Sequence, residues 1–278
     1  MPQPPPTLLA ARALTVGHAH RPVVSHVELD VAPGSCTVIV GPNGCGKSTL
    51  LRTLAGVTPR LAGTILLDGQ ELASFSPRAR ARLVSFLPQA PLTPPGTTVR
   101  MLVEHGRHPH RGVLSTLTTS DREAVGWAID VAAIGPLLDR PVDQLSGGER
   151  QRAWIALTLA QRTRVVLLDE PTTFLDVRHQ LEMLALLRSL ADDHSLALVV
   201  VLHDLDHAAA IADQLVVVAG GRVRATGAPR EVLTPQCILD AFDVEAEVTE
   251  DSSGAVVTRL RLPTPSSVVD LNRWSSGQ

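Results

Sequence analysis

Residues 41–48, GPNGCGKS, set glycine, lysine and a hydroxyl group in the spacing G-x-x-x-x-G-K-[ST], which suits a triphosphate. Gly41, Gly44 and Gly46 allow backbone shapes closed to other residues, so successive N–H groups of the loop can point inward. The candidate binding set is the loop and the residue after it: Gly41, Pro42, Asn43, Gly44, Cys45, Gly46, Lys47, Ser48 and Thr49. Lys47 is placed to reach the β- and γ-phosphates as a compact charge, and the Ser48 hydroxyl to ligate Mg²⁺. Lys47 is also the one lysine in a chain with 25 basic residues. The planar fork of arginine is bulkier and differently directed, so the two are not interchangeable in a tight phosphate cradle.

Two further groups carry chemistry. Asp169 and Glu170 follow the apolar run VVLL and place two carboxylates at the end of a buried strand, where an open parallel sheet binds its ligands. Their roles differ: Asp169 holds the Mg²⁺, usually through water, and Glu170 polarises the water that attacks the γ-phosphorus. In LSGGERQ, residues 145–151, Ser146 and Glu149 make a capping box at a helix start. The adjacent Gly147 and Gly148 exceed what a cap requires. Exposed N–H groups at a helix N-terminus beside a serine hydroxyl form an anion site. A second such site, so far along the chain from the first, points to a dimer in which each site completes the other.

The elements that must position these groups follow from pattern. Residues 8–16 and 23–31 alternate as half-buried strands joined by the loop GHAHRP, and residues 38–40 lead into the glycine-rich loop and a helix from Ser48 to Leu54. Residues 63–67 with the turn Asp68-Gly69 suggest a hairpin, Ser76-Pro77 a helix start, and residues 83–87 a short buried strand. The character then changes. Four prolines fall between residues 88 and 95, and the spacing predicts helices over 99–105, from a capping box Ser120-x-x-Glu123, and from Ser146 to about Arg162. Strand–helix alternation resumes with 165–169, 177–191, 196–202, 204–212, 214–219 and 222–226. Short helices over 229–233 and 235–242, then strands over 246–249 and 256–262, precede a Ser/Pro-rich end. A helical insert within such an alternation implies a subdomain on a parallel-sheet core. The proline-rich MPQPPP at the start has nothing to bury and is expected to be disordered up to about Thr7.

Composition narrows the class. A net charge of −3 and 3% aromatic residues argue against a nucleic-acid-binding surface, which needs a basic stripe or stacking aromatics. The longest apolar run, residues 196–202, is too short to cross a bilayer, and the N-terminus lacks a signal-peptide pattern. A cytosolic chain is the expectation. Cys36, Cys45 and Cys237, odd in number and widely spaced, suit reduced thiols better than a disulfide frame or zinc site. Cys45 reads as a small filler residue in the glycine-rich loop, with redox control, in which oxidation would block nucleotide binding, as the alternative.

With these motifs in order over residues 8–242, the sequence resembles the nucleotide-binding subunit of an ABC transporter. Gly41 to Ser48 is its Walker A motif, Leu145 to Glu149 its LSGGE signature, and Asp169-Glu170 the end of its Walker B motif. The resemblance implies an α/β fold: a P-loop NTPase (RecA-like) core with an antiparallel β subdomain and an inserted α-helical subdomain at about 88–162. The ATP-binding domain is expected over 8–244, and a C-terminal tail over 245–278. It further implies a head-to-tail dimer with two ATP molecules at its interface, each held by one subunit's Walker A and the other's Ser146, Gly147 and Gly148. By the same carry-over Gln89 is the glutamine linking the metal and attacking water to the permease, Asp176 belongs to the D-loop, and His203 is the switch histidine that contacts the γ-phosphate. Two departures stand out. Glu149 replaces the commoner glutamine, and either can close the capping box. The family often stacks adenine on an aromatic residue near the first strands, whereas this chain has no tyrosine and places His18 there.

Three stretches, residues 105–110, 170–180 and 202–206, with 150–156 in support, are similar to ATPases of iron(III)-siderophore importers of the ferric enterobactin type. That group is shared with haem and cobalamin importers. The resemblance implies a membrane permease, an external binding protein and a place at the cytoplasmic face of the membrane. His105, His108 and His110 could suggest a metal site, but Pro109 breaks any helix there and the segment matches a family loop, so a permease-facing or structural loop is the reading. The iron chelate would be the permease's cargo. A non-transport ABC ATPase acting on nucleic acid or ribosomes would carry duplicated cassettes or a long coiled-coil insertion, and this sequence has neither.

Overall fold

The computed structural model describes residues 7–112, 116–252 and 254–261. The proline-rich start, residue 262 of the last expected strand and the Ser/Pro-rich end lie outside them. The chain opens with β1 (Leu9–His18) and β2 (Arg21–Val31), an antiparallel pair. The loop expected at GHAHRP is mostly strand: His18 pairs with Arg21, leaving a two-residue turn in which Ala19 (φ 46°) and His20 (φ 65°) are both left-handed. Such a turn matches the natural twist of a hairpin.

Next come β3 (Cys36–Val40), α1 (Lys47–Leu54), β4 (Ala62–Leu67), β5 (Gln70–Glu71), α2 (Pro77–Arg80) and β6 (Val84–Leu87). Three helices follow: α3 (Val99–His105), α4 (Thr119–Val131) and α5 (Gly147–Ala160). The chain returns to the sheet with β7 (Val165–Asp169), α6 (Val177–Asp192), β8 (Ala197–Val201), α7 (Leu205–Ile211), β9 (Gln214–Ala219) and β10 (Arg222–Gly227). It ends with α8 (Pro229–Val232), α9 (Pro235–Phe242) and a hairpin of β11 (Ala246–Glu250) and β12 (Val256–Leu260).

Two main sheets result. One is antiparallel, in the order β2-β1-β4-β5; the other runs β10-β9-β3-β8-β7-β6, parallel from β9 to β6. Every residue of β3, β7 and β8 is buried, which explains why these strands read as unbroken apolar runs, as strands covered on both faces do. Ser25 N donates to Gly221 O at 2.9 Å and ties the two sheets together.

The three helices α3, α4 and α5 pack on one another, and α5 also reaches β6. Helix α5 buries Trp154, Ile155, Leu159 and four small neighbours, Ala153, Ala156, Thr158 and Ala160. It is the core of this helical group. Helix α4 is capped two positions earlier than expected, at Thr118 rather than Ser120. Thr118 caps it by accepting from Asp121 N at 3.2 Å, and the Asp121 carboxylate accepts from Thr118 N at 3.0 Å. Asp121 is buried and also takes a hydrogen bond from Arg107 at 2.8 Å, whereas Glu123 is exposed; the buried ion pair selects the earlier box.

Candidate functional site

Four strands of the parallel sheet deliver the site. In the order β6, β7, β8, β3 their carboxyl ends lead to Gln89, to Asp169-Glu170, to His203 and to the glycine-rich loop. This is the edge at which open parallel sheets bind ligands. A pocket of about 300 Å³ opens there, lined by His18, Val23, Asn43, Gly44, Gly46, Lys47, Ser48, Thr49, Glu170 and His203.

The loop folds as it does for steric reasons. A Cβ at Gly41 would lie 2.1 Å from Val218 O, so only glycine fits against β9. Gly46, at φ 104°, is the N-cap of α1 and offers no side chain to the helix's first N–H groups; a Cβ there would lie 2.6 Å from Val23 and Val24 methyl groups. No acidic residue sits in the first turn of α1. Its free N–H groups and positive dipole end therefore face the pocket and favour an anion. Lys47 is 5% exposed, and its ammonium donates to Gly41 O at 2.8 Å and Pro42 O at 3.0 Å. Cys45 is half-buried, and burial pushes its thiol above the ordinary value.

Ser48 Oγ donates to Asp169 Oδ1 at 2.8 Å. Asp169 is 2% exposed, and its Oδ2 is buried without a hydrogen-bond partner among the described residues. Burial raises its carboxyl above the ordinary range, against the Ser48 hydrogen bond and with the neighbouring Glu170 charge. An orphaned buried carboxylate oxygen beside a serine hydroxyl is a hard-oxygen donor set, the kind that suits Mg²⁺. The residues present fit that ion.

Glu170 is held on every side. Its backbone is left-handed at φ 53°, a costly conformation for a residue with a long side chain, and Glu170 N donates to Val201 O at 3.2 Å. Gln89 Nε2 donates to Oε2, Thr173 Oγ1 donates to the same oxygen at 3.1 Å, and His203 Nε2 meets Oε1. Gln89, expected at the metal, thus meets Glu170 rather than Ser48 or Asp169. Thr173 escaped the sequence reading; its signal is a hydroxyl one helical turn beyond the acid.

His18, at the end of β1, sits on the pocket wall with Nε2 3.1 Å from Thr49 Oγ1. Ser146, Gly147, Gly148 and Asp176 are not part of the pocket lining. Ser146 caps α5, accepting from Glu149 N at 3.3 Å while Ser146 N donates to Glu149 Oε2 at 3.0 Å. Glu149 also accepts from Arg140 Nη1 at 3.1 Å, an ion pair that a glutamine could not form. Its carboxyl is held below the ordinary value, chiefly by the hydrogen bonds from Ser146. Ser146 and Gly147 are exposed, while Gly148 is buried and a Cβ there would lie 2.5 Å from the His179 ring. Asp176 caps α6 and accepts from His179 N at 2.9 Å. His105 at the end of α3 and His108 and His110 beyond it do not gather into a metal-binding group among the described residues: His105 Nδ1 contacts Met101 O, and His110 Nε2 contacts Gln161 O, both at 2.8 Å.

A glycine-rich loop between a central parallel strand and a helix, with a strand-end acid pair beside it, defines a P-loop ATPase on a RecA-like core. The sequence matches the family described as ABC transporter over residues 24–173. It is 42% identical to the achromobactin transport ATP-binding protein of Dickeya dadantii over 88% of this chain and 91% of that protein. It is 40% identical to the ferric enterobactin transport ATP-binding protein of Escherichia coli, over 87% of this chain and 90% of that one. A solved chain of a metal-chelate type ABC transporter in an inward-facing conformation superposes with a TM-score of 0.80 at 25% identity, covering 94% of this chain and all of that one. The chain belongs to the ABC transporter family, as an ATP-binding, ATP-hydrolysing subunit. Among the described residues no helix is long and apolar enough to cross a membrane.

Proposed function

We propose that this subunit energises the import of iron(III)–siderophore complexes, acting as a head-to-tail pair beneath a membrane permease fed by an external binding protein. The observation that carries the hydrolytic part is the gathering of Lys47, Ser48, Asp169, Glu170 and His203 at one sheet edge, with Glu170 gripped by three side chains. The siderophores in the relatives' names support the cargo, as do residues 105–110 and 170–180.

On this reading the chain's residues divide the work of phosphoryl transfer, which is mostly positioning and charge stabilisation. Loop N–H groups and the α1 terminus hold the phosphates of ATP, and Lys47 exchanges its contacts with Gly41 O and Pro42 O for phosphate oxygens. Ser48 and Asp169 would hold Mg²⁺, with Gln89 nearby; when bound, the ion neutralises charge on the β- and γ-phosphates. Glu170 orients and polarises the attacking water, and His203 contacts the γ-phosphate. His18 stacks on adenine. Ser146 and Gly147, both exposed, with Gly148 behind them, present an anion site to the ATP of a second copy, and Asp176 lies at the same junction. Hydrolysis then waits for closure of the pair, which is how ATP would drive transport from the cytoplasmic face.

The test is reconstitution of the chain with its co-purifying permease, followed by ATP hydrolysis with a binding protein loaded with different cargoes. Stimulation by ferric siderophores above the unloaded background is the expected result. Stimulation by cobalamin or haem alone would reassign the cargo and leave the ATPase intact.

A further inference from the structure

Among the described residues the His203 ring has one polar partner, Glu170. Its position is set by its neighbours. On one side Leu202 N donates to Ile39 O at 3.2 Å, tying the end of β8 to β3. On the other, Asp204 caps α7 and accepts from His207 N at 2.8 Å. Helix α7 buries Leu205, Ala208 and Ile211 against the core, which anchors one face, Leu205 of the first turn included, while Asp206 in the same turn is only partly buried.

That turn is held from outside. Asp206 Oδ1 accepts from both Thr258 N and Thr258 Oγ1, each at 2.7 Å. Thr258 lies in β12, which packs along α7. The hairpin is itself fastened: Arg261 N donates to Glu245 O at 2.8 Å, Ala255 N to Asp251 Oδ1 at 3.0 Å, and Val256 is buried in the main core. A carboxylate that accepts two donors from one residue fixes both distance and direction, and charge-assisted bonds of this kind are the strong ones.

We propose that the C-terminal hairpin is a positioning element for the catalytic edge: through Asp206, β12 fixes the first turn of α7 and thereby the point at which His203 meets Glu170. The inference rests on the reading of His203 as the γ-phosphate contact. It assigns a part in turnover to a strand, β12, more than fifty residues downstream of the residue it serves. Loss of the clamp displaces His203 without touching the phosphate loop, so turnover suffers and nucleotide binding does not.

The experiment is steady-state ATP hydrolysis by the full chain carrying Asp206→Ala, Asp206→Asn, Thr258→Val, the Asp206→Ala/Thr258→Val pair, and His203→Ala. Asp206→Ala is expected to lower kcat about tenfold, the scale on which small misplacements act, with KM for ATP unchanged. Asp206→Asn, whose amide oxygen still accepts, retains most of the rate. The double variant falls no further than Asp206→Ala, because both substitutions break one contact. If Asp206→Ala fails to fold, the isosteric Thr258→Val, which removes the hydroxyl bond and keeps the backbone one, carries the test with a smaller expected loss of kcat. A kcat within about twofold of the parent in Asp206→Ala and Thr258→Val, beside an impaired His203→Ala, overturns the proposal. So does a parallel change in kcat, KM and melting temperature, the mark of a purely structural contact. A parental rate in His203→Ala overturns the assignment of His203 itself, so the two failures are told apart.

Discussion

Ser48 donates its hydroxyl hydrogen to Asp169 Oδ1 at 2.8 Å, joining the first turn of α1 to the last residue of β7 across 121 positions of sequence. The other oxygen of Asp169 is buried and has no hydrogen-bond partner among the described residues. Ser48→Ala removes the one hydrogen bond this carboxylate has among the described residues and one of the oxygens that would hold a metal. The expected outcome is weaker ATP binding in the presence of Mg²⁺ and little change when the metal is removed with EDTA. Titration of a fluorescent ATP analogue under both conditions decides it: an equal loss in each would mean that Ser48 serves the nucleotide and not the metal.

The ammonium of Lys47 rests on the carbonyls of Gly41 and Pro42 at 2.8 and 3.0 Å. That is a point charge in a space walled by backbone. Lys47→Ala should lose measurable ATP binding, and Lys47→Arg should fail to restore it, because a planar fork cannot take the same two contacts and then turn to phosphate. Equilibrium dialysis with labelled ATP is sufficient; binding by the arginine variant at parental affinity would contradict the argument.

Glu170 shares its Oε2 between Gln89 and Thr173. Glu170→Gln should bind ATP normally, persist as a closed pair on gel filtration with ATP, and hydrolyse about 10²–10⁴-fold more slowly, the range for loss of a general base. Thr173→Val, which keeps the shape and deletes the hydroxyl, should lower kcat while leaving KM for ATP in place, and Thr173→Ser should recover it. Normal turnover by the Gln variant rules out Glu170 as the base.

How far the sequence carried these residues varies with the physics. The glycine-rich loop, the strand ends and the helices over 99–105 and 235–242 were legible because each is a local pattern: a glycine spacing, an apolar run, a cap. The turn at Ala19-His20 was not, because neither residue is the glycine or asparagine that usually marks two left-handed positions. The start of α4 misled because Ser120-x-x-Glu123 fits the usual box pattern locally, whereas burial of Asp121 against Arg107 favours the less usual Thr118-x-x-Asp121. Thr258 on Asp206 is a contact of the folded chain that no spacing announces, and Thr173 on Glu170 is signalled only by a hydroxyl three residues beyond the acid. The pairing of Gln89 with Glu170 was likewise open until β6 and β7 were seen side by side.

His18 stands on the pocket wall, with its ring nitrogen 3.1 Å from Thr49 Oγ1. An imidazole there offers a smaller face than the aromatic residue usual in the family, so stacking should contribute only about 0.5–1.5 kcal/mol. His18→Ala is expected to weaken ATP binding by a few-fold and to narrow any preference for ATP over GTP. Unchanged ATP affinity in that variant would remove adenine stacking from the site.

The Arg107–Asp121 pair clamps the helical group, with Arg107 also donating to Ala160 O at 2.8 Å. Both side chains are about one-twentieth exposed, and removing one partner of a buried pair typically costs about 3–5 kcal/mol. Burial alone would raise the Asp121 carboxyl. Hydrogen bonds from Thr118, then Arg107, outweigh it and bring the pKa down from 3.8 to about 2. The sign follows: between those values the unfolded chain binds the proton more readily than the folded one. The stabilisation is therefore complete above the ordinary carboxylate value and drains away as the pH falls toward about 2. Asp121→Asn should melt well below the parent at neutral pH, and the gap should close across that acid window in paired melts. A gap that stays constant with pH would show that the carboxylate's charge contributes nothing to the clamp.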